Sequence, residues 1–242
     1  MRVVPNKFPA FGPWPAGPER DGLFARRTAV GRQEVVVHAP RHVDSLADLS
    51  SRQLDLVAEA WRARAEAARE SGFPYLHCSI NEGRAAGASL AHSHSQLVWL
   101  PEGPPLIAQE RAVAAGECVV CAMVREEREQ RIRLVAEREG LALLCPFAGR
   151  QPYEMLVTPV ECERDPFAAG RLERALQLVW DGVRRLRAAE GAVAYNAWLH
   201  SAGHWHIELV PRITVFASLE LGAGYYVNTM APESAAGVLR EA

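Results

Sequence analysis

The chain has 242 residues, 49% of them hydrophobic, enough for one large core or for two small fused units. Its 27 basic and 29 acidic side chains leave a net charge of -2, which gives no global pull toward nucleic acid or an anionic membrane. No uninterrupted apolar run approaches the ~20 residues of a membrane-spanning helix, and the start, Met1 to Phe8, has no apolar leader. Five cysteines, two of them in a Cys-x-x-Cys, point to thiols and metal in a reducing compartment, the cytoplasm, rather than to a disulfide framework.

Arg2 to Pro9 starts abruptly, as though an element had been cut through, and the proline-rich stretch 9–18 reads as a loop. Gln33 to His38 reads as a strand ending at Pro40. From Ser50 to Ser71, Leu54, Val57 and Trp61 recur at helical spacing, and Gly72 and Pro74 stop that helix. Tyr75 to Ile80 is a strand, Asn81 to Ser89 a glycine-rich loop, and Leu90 to Trp99 another strand.

The two-residue period of that last strand would place His92, His94 and Gln96 on one face. A neutral imidazole is a nucleophile near pH 7, and a Gln amide can donate to a phosphate oxygen without adding charge. The loop before it adds Gly83 and Gly87, which allow a ligand close to the backbone, and the uncharged hydrogen-bonding groups of Asn81 and Ser89. Arg84 in the same loop can neutralise phosphate. The combination suits nucleotidyl transfer through a histidine.

The second half repeats this order. Glu154 to Cys162 echoes Glu34 to His42, Arg171 to Glu190 is a second amphipathic helix, Ala194 to Leu199 a strand, and His204-Trp-His206-Ile-Glu208 echoes His92-Ser-His94-Ser-Gln96. The offset is 204 − 92 = 112 for the histidines and 154 − 34 = 120 for the glutamates, so two copies of one α+β unit differ by small indels, dividing the chain into 1–103 and 104–242. Where the first copy has Gln96 the second has Glu208, whose carboxylate would repel a phosphate held against His206. Asn81 has no obvious counterpart in the repeat. His94 is therefore the expected nucleophile, with His206 and Glu208 left to the framework, a metal or a sugar-phosphate pocket.

Between the halves, Gly116-Glu-Cys118-Val-Val-Cys121 offers two thiols at the spacing of a zinc clamp, and a helical run follows from Met123 to Gln130. The repeat register supplies Cys162 and His204 as the other two ligands. In the first half His42 and His92 hold the corresponding histidine positions, without a thiol pair, and would hold zinc weakly.

The pattern Asn81-x-Gly83-x3-Gly87-x-Ser89-x2-His92-x-His94-x-Gln96 resembles the signature of the galactose-1-phosphate uridylyltransferase family, a branch of the histidine-triad superfamily. Pro104–Glu110, His204–Arg212, Leu219–Asn228 and Pro232–Ala236 look like the same family, so the likeness runs from residue 2 to the end. It implies a tandem pair of histidine-triad-like α+β units with antiparallel sheets flanked by helices. The family's own Cys-x-x-Cys precedes the segment resembling Val4 to Pro9, which makes this a member short at its N-terminus. It also implies a structural zinc, here with Cys162 where relatives carry histidine, and places Asn6 and Phe8 at the nucleoside.

The activity implied is transfer of a nucleoside monophosphate, UMP first, between sugar 1-phosphates through a nucleotidyl-His94. Gln96 and Ser89 would stabilise the phosphate, and Asn81, Gly87 and His206 would line the substrate site. The partners are then a nucleoside-diphosphate sugar and a sugar 1-phosphate, with no nucleic acid or membrane and with a homodimer left open. Two other readings stand beside it: a phosphorylase that transfers adenylyl from an ADP-sugar or a dinucleoside polyphosphate, and a non-catalytic nucleotide-sugar binding module.

Overall fold

The computed structural model describes residues 1–15, 17, 20, 21, 23–113, 118–201 and 203–242; Ala16 and Pro18 of the proline-rich stretch lie outside these. In chain order the strands and helices are β1 (Arg2–Pro5), β2 (Arg20–Asp21), β3 (Phe24–Ala25), β4 (Arg32–Val37), α1 (Ser51–Glu70), β5 (Tyr75–Glu82), β6 (His94–Leu100), α2 (Pro105–Val113), α3 (Val119–Gln130), β7 (Leu134–Arg138), β8 (Leu141–Leu144), β9 (Met155–Pro159), α4 (Arg171–Glu190), β10 (Tyr195–His200), β11 (His206–Pro211) and α5 (Pro232–Glu241). Nine strands form one antiparallel sheet in the order β1-β4-β6-β5-β10-β11-β9-β8-β7, and β2 and β3 pair apart from it. The fold is α+β, as expected.

Helices α1, α4 and α5 cover one face of this sheet, while Ile107 of α2 packs on Tyr75 apart from that core. α1 begins at a capping box in which Ser50 Oγ accepts from the Gln53 backbone and Gln53 Oε1 accepts from the Ser50 backbone, satisfying two amides that the first turn leaves free. Its Leu54, Val57, Trp61 and Ala65 are buried, as are Leu172, Leu176, Val179 and Leu186 of α4. Burying each large side chain of this kind contributes about 1.5–3 kcal/mol. The two helices also touch through Arg62–Glu173 at 2.5 Å and a hydrogen bond from Gln177 to Asp55 at 2.8 Å.

Strand alternation then decides what the opposite face carries. On β6, Ser95, Leu97 and Trp99 are buried toward the helices, so His94, Gln96 and Val98 point the other way. The sheet is continuous across the middle, where Ser79 to Glu82 of β5 pair with Tyr195 to Trp198 of β10. Polar groups of both halves thus share one surface.

Three expectations change. The strand expected from Leu90 starts at His94, because the Ser93 amide donates to the Val43 carbonyl at 2.7 Å instead of continuing the ladder with β4. His92 consequently precedes the strand rather than belonging to its alternation. The echo between the halves also shifts by one residue. Val35 stands opposite Gln96 as Leu156 stands opposite Glu208, so the residues two before them, Gln33 and Glu154, are the equivalent pair.

Glu34, expected to match Glu154, faces the helices instead. Its carboxylate accepts from Arg64 at 2.8 and 2.9 Å and from Trp99 Nε1 at 2.9 Å. Ser79 opposite Gln96 corresponds in turn to Trp198 opposite Glu208, which makes Asn81 equivalent to His200. Asn81 therefore has a counterpart.

Candidate functional site

His94 opens β6 with its Nδ1 2.8 Å from the His92 carbonyl. A carbonyl only accepts, so Nδ1 carries the proton and Nε2 keeps the lone pair. The ring is 4% exposed and sits on a stiff base. Behind it, His38 is fully buried, with Nδ1 2.9 Å from Ser93 Oγ and Nε2 3.1 Å from Ser95 Oγ, and Trp61 Nε1 donates to Ser95 Oγ at 2.9 Å. Burial, assisted by His94 and His92, lowers the His38 pKa to about 3 and keeps it neutral. His92 itself meets the edge of His42 at a ring separation of 5.2 Å, and His42 Nε2 lies 2.7 Å from Asp44.

Two carboxamides flank the imidazole's face of the sheet, each tied to a neighbour. Gln33 Nε2 donates to Gln96 Oε1 at 2.9 Å, and Asn196 Nδ2 donates to Asn81 Oδ1 at 2.8 Å and to the Ala86 carbonyl at 2.8 Å. The loop between Asn81 and Ser89 turns at Gly83 (φ 81°) and Gly87 (φ 79°). A Cβ on Gly83 would fall 2.7 Å from that of Ala194, so glycine is required there for space as well as for φ. Ser89 and Arg84 are exposed on this loop.

At the other end of the first half, the Asn6 amide donates to the Gln33 carbonyl at 2.9 Å and Asn6 Oδ1 accepts from the Phe8 amide, leaving the Phe8 ring 81% exposed. A cavity of about 810 Å³ lies behind the glycine loop, walled by Asp44, Glu82, Arg84, Ser89, Arg187 and Ala194; neither His94 nor Gln96 lines it. The cavity therefore includes part of the glycine loop but neither side chain of the His94–Gln96 pair.

In the second half, His206 starts β11 and Glu208 follows two residues on. The Glu208 carboxylate pairs with Arg150, which also holds Glu154 at 2.7 Å, and lies 3.4 Å from His200 Nδ1. Burial alone would raise the Glu208 pKa, but His206, Arg150 and His200 outweigh it and hold the group at about 2. His200 Nδ1 is also 2.7 Å from Glu110. One ligand atom from each of Glu110, His200, His206 and Glu208 falls within 4.8 Å of the others, so the four could hold a metal. Reading the sequence singled out His206 and Glu208 alone; Glu110 reaches these strands from α2, and His200 is visible only once the strand register is known.

The expected zinc ligands come together as well. One atom each of Cys118, Cys121, Cys162 and His204 lies within 4.8 Å of the others. Cys118 caps α3, and His204 Nε2 is 3.0 Å from the Pro159 carbonyl, which places its proton there and turns the Nδ1 lone pair toward Cys121 Sγ, 3.1 Å away. Burial opposes ionisation of the Cys118 thiol, yet the Cys121 amide and thiol together with Cys162 bring its pKa down. Cys121, by burial and by sharing protons with Cys118 and Cys162, is pushed up to about 12. A cation is what this group needs to release all its protons, and three sulfurs with one nitrogen is a tetrahedral donor set. Gly116 and Glu117, next to the thiol pair, lie outside the described residues.

Residues 2–102 match the family described as galactose-1-phosphate uridyl transferase, N-terminal domain. Over 268 aligned residues, 98% of this chain and 82% of its relative, the chain is 26% identical to galactose-1-phosphate uridylyltransferase of Thermotoga maritima. A solved structure of a uridylyltransferase superposes with a TM-score of 0.89 at 26% identity, covering 99% of this chain and 83% of that one. Residues 2–102 thus match the family's N-terminal domain, and along its whole length the chain is similar to galactose-1-phosphate uridylyltransferases.

With these relatives, the chain is an enzyme of the nucleotidyltransferase class. The chain is also similar to ADP-glucose phosphorylase of Arabidopsis thaliana, 25% identical over all of this chain and 74% of that protein.

Proposed function

We propose that the chain transfers a nucleoside monophosphate, UMP foremost, between sugar 1-phosphates by double displacement, with His94 as the nucleophile. His94 Nε2 attacks the α-phosphorus of a nucleoside-diphosphate sugar, and the bond to the bridging oxygen breaks as sugar 1-phosphate leaves. A second sugar 1-phosphate then takes the nucleotide from His94 and frees the imidazole. The observation that carries this is the bond from His94 Nδ1 to the His92 carbonyl, which leaves Nε2 unprotonated one alternation away from the Gln96 amide.

Gln96 and Ser89 donate to the non-bridging oxygens as charge shifts onto them, a role in which losing one donor costs on the order of a hundredfold. Asn81 and the Gly87 backbone extend the phosphate cradle, Asn6 and Phe8 flank the nucleoside, and His206 borders the sugar-phosphate side. The two repeats divide at about residue 103 into 1–103, which carries the nucleophile, and 104–242. Cys118, Cys121, Cys162 and His204 bind zinc, which supplies folding free energy to the second half rather than chemistry at phosphorus.

The cytoplasm is the proposed location; no helix among the described residues is long and apolar enough to cross a membrane. A homodimer belongs to the same reading, since Val215, Leu221 and Tyr225 are 86%, 77% and 71% exposed and a second copy would bury them. Sedimentation checks it.

The similarity to ADP-glucose phosphorylase along the whole chain supports a second reading with the same histidine, in which an adenylyl group is passed to phosphate. One experiment separates the two. The protein is exposed to UDP-glucose or to ADP-glucose labelled at the α-phosphate and denatured in alkali. Retained label that mild acid releases, as from a phosphoramidate, establishes the covalent step, and the base that labels gives the specificity. Reversible binding without label makes the chain a binding module.

A further inference from the structure

We propose that Gln33 is a positioning residue that sets which end of the Gln96 carboxamide faces the transferred phosphate; this rests on the reading of His94 and Gln96 above. An amide side chain offers oxygen on one side and nitrogen on the other, and only the nitrogen can donate to a phosphate oxygen. Its orientation therefore matters as much as its position.

The orientation is fixed by a chain of donors that starts at a group with no choice. The Ala10 backbone N–H donates to Gln33 Oε1 at 2.8 Å. A backbone amide has no acceptor role here, so the Gln33 oxygen must face it and the Gln33 nitrogen must face away. That nitrogen donates to Gln96 Oε1 at 2.9 Å, which ties back the Gln96 oxygen and leaves its NH2 turned from Gln33. Asn81 is fixed by the same logic through Asn196 of the other half, whose nitrogen is required by the Ala86 carbonyl and also donates to the Asn81 oxygen.

The repeat supplies an internal control. Gln33 and Gln96 are equivalent to Glu154 and Glu208, and these are also coupled, through Arg150, which bonds to both. The pair of positions is thus one unit in each half. Two amides make a neutral relay in the first, and two carboxylates with a bridging arginine make an ionic one in the second. The segment that supplies the Ala10 amide also carries Asn6, whose N–H bonds to the Gln33 carbonyl. The strand-end segment proposed at the nucleoside is in this way joined directly to the phosphate donor.

The test compares Gln33→Met, which keeps length and volume but neither donates nor accepts as an amide does, with Gln33→His, which differs in shape but can accept at one ring nitrogen and donate from the other. Three readouts are taken: kcat and KM for nucleotide exchange, the side-chain amide signals of Gln96 by 1H–15N NMR on addition of UMP or AMP, and the backbone amide spectrum as the check on folding. Gln33→Met should lower kcat by about 10- to 100-fold, at most the lower end of the loss when a donor is removed outright, with KM changed far less. The nucleotide-induced shift of the Gln96 amide should shrink in parallel, and Gln33→His should recover most of both. A role in packing alone predicts the reverse order, with methionine the milder change. Wild-type kcat and Gln96 shifts in Gln33→Met, or a Gln33→His no better than Gln33→Met, would overturn the proposal. If neither nucleotide moves the Gln96 amide in the unmodified protein, the phosphate site itself is misassigned and the proposal falls with it.

Discussion

The two halves place the same elements around a His-x-His and arrive at opposite electrostatics. In the first, His94 is followed by an amide held by another amide, and no carboxylate of β4 or β6 shares that face because Glu34 is turned toward α1 and Arg64. In the second, His206 is followed by Glu208, kept ionised by His206, Arg150 and His200 and backed by Glu154. A phosphate can approach the first without meeting negative charge. The second is arranged for cations, and both groups of residues whose geometry fits a metal draw on it. On the proposed reading, exchange of a few neutral and charged side chains between two copies of one unit divides phosphate chemistry from cation binding across one continuous sheet.

The comparison breaks most sharply at the histidines. His94→Ala should abolish covalent labelling, a loss of at least about 10³-fold, comparable with removing a nucleophile, and leave the fold intact; His206→Ala should still form the nucleotidyl adduct. Equal loss of adduct in both variants, measured by label retained per chain, would erase the distinction. Gln96→Glu comes next. It installs in the first half the charge of the second, and kcat should fall about a hundredfold, since a donor is lost and repulsion added. Normal turnover in that variant would remove the reason for preferring His94.

The metal contrast is smaller in its effect on activity. Elemental analysis should give zinc in the unmodified protein, and Cys162→Ser should reduce that content and lower the melting temperature while the covalent adduct still forms. Zinc unchanged by Cys162→Ser would exclude Cys162 as a ligand. Glu110→Gln then asks whether the other group holds an ion, because only a metal there makes the zinc-to-protein ratio, or that of another cation, sensitive to this change.

The smallest effect is on stability against pH. His38 has a pKa of about 3 in the fold against an ordinary 6.5, so the unfolded chain takes up its proton first. Its contribution is complete above pH 6.5 and is lost progressively as pH falls from 6.5 toward 3. Glu208 acts in the same direction at lower pH, its contribution disappearing between about 4.5 and about 2. Denaturant midpoints should therefore fall below pH 6.5, and His38→Gln should flatten the upper part of that decline. An unchanged slope would mean that His38 does not stay neutral in the fold.

Much of this was legible in the sequence because it is local. The loop from Asn81 to Ser89, the pair His94 and Gln96, and the helix at Arg171–Glu190 each announce themselves by spacing over a few residues. The four thiol and imidazole positions were reachable by carrying one half's order onto the other. What could not be read was register. The runs Val35-Val36-Val37 and Met155-Leu156-Val157 match in either of two frames, and the wrong one pairs Glu34 with Glu154, conceals Gln33 and sends a buried carboxylate to the wrong face. Arg150, His200 and Glu110 escaped for a related reason: the pairing of β10 with β11 brings His200 to Glu208, while Arg150 comes from the segment before β9 and Glu110 from α2, which their spacing along the chain does not show.

The central claim is that the nucleotide is carried by the first half alone, and mapping the adduct in the unmodified protein tests it most directly. After reaction with UDP-glucose or ADP-glucose and digestion under alkaline conditions, mass spectrometry should find one nucleotidyl group per chain, on the peptide containing His94 and at that residue. A nucleotidyl group on His206, or on both histidines, would contradict the account.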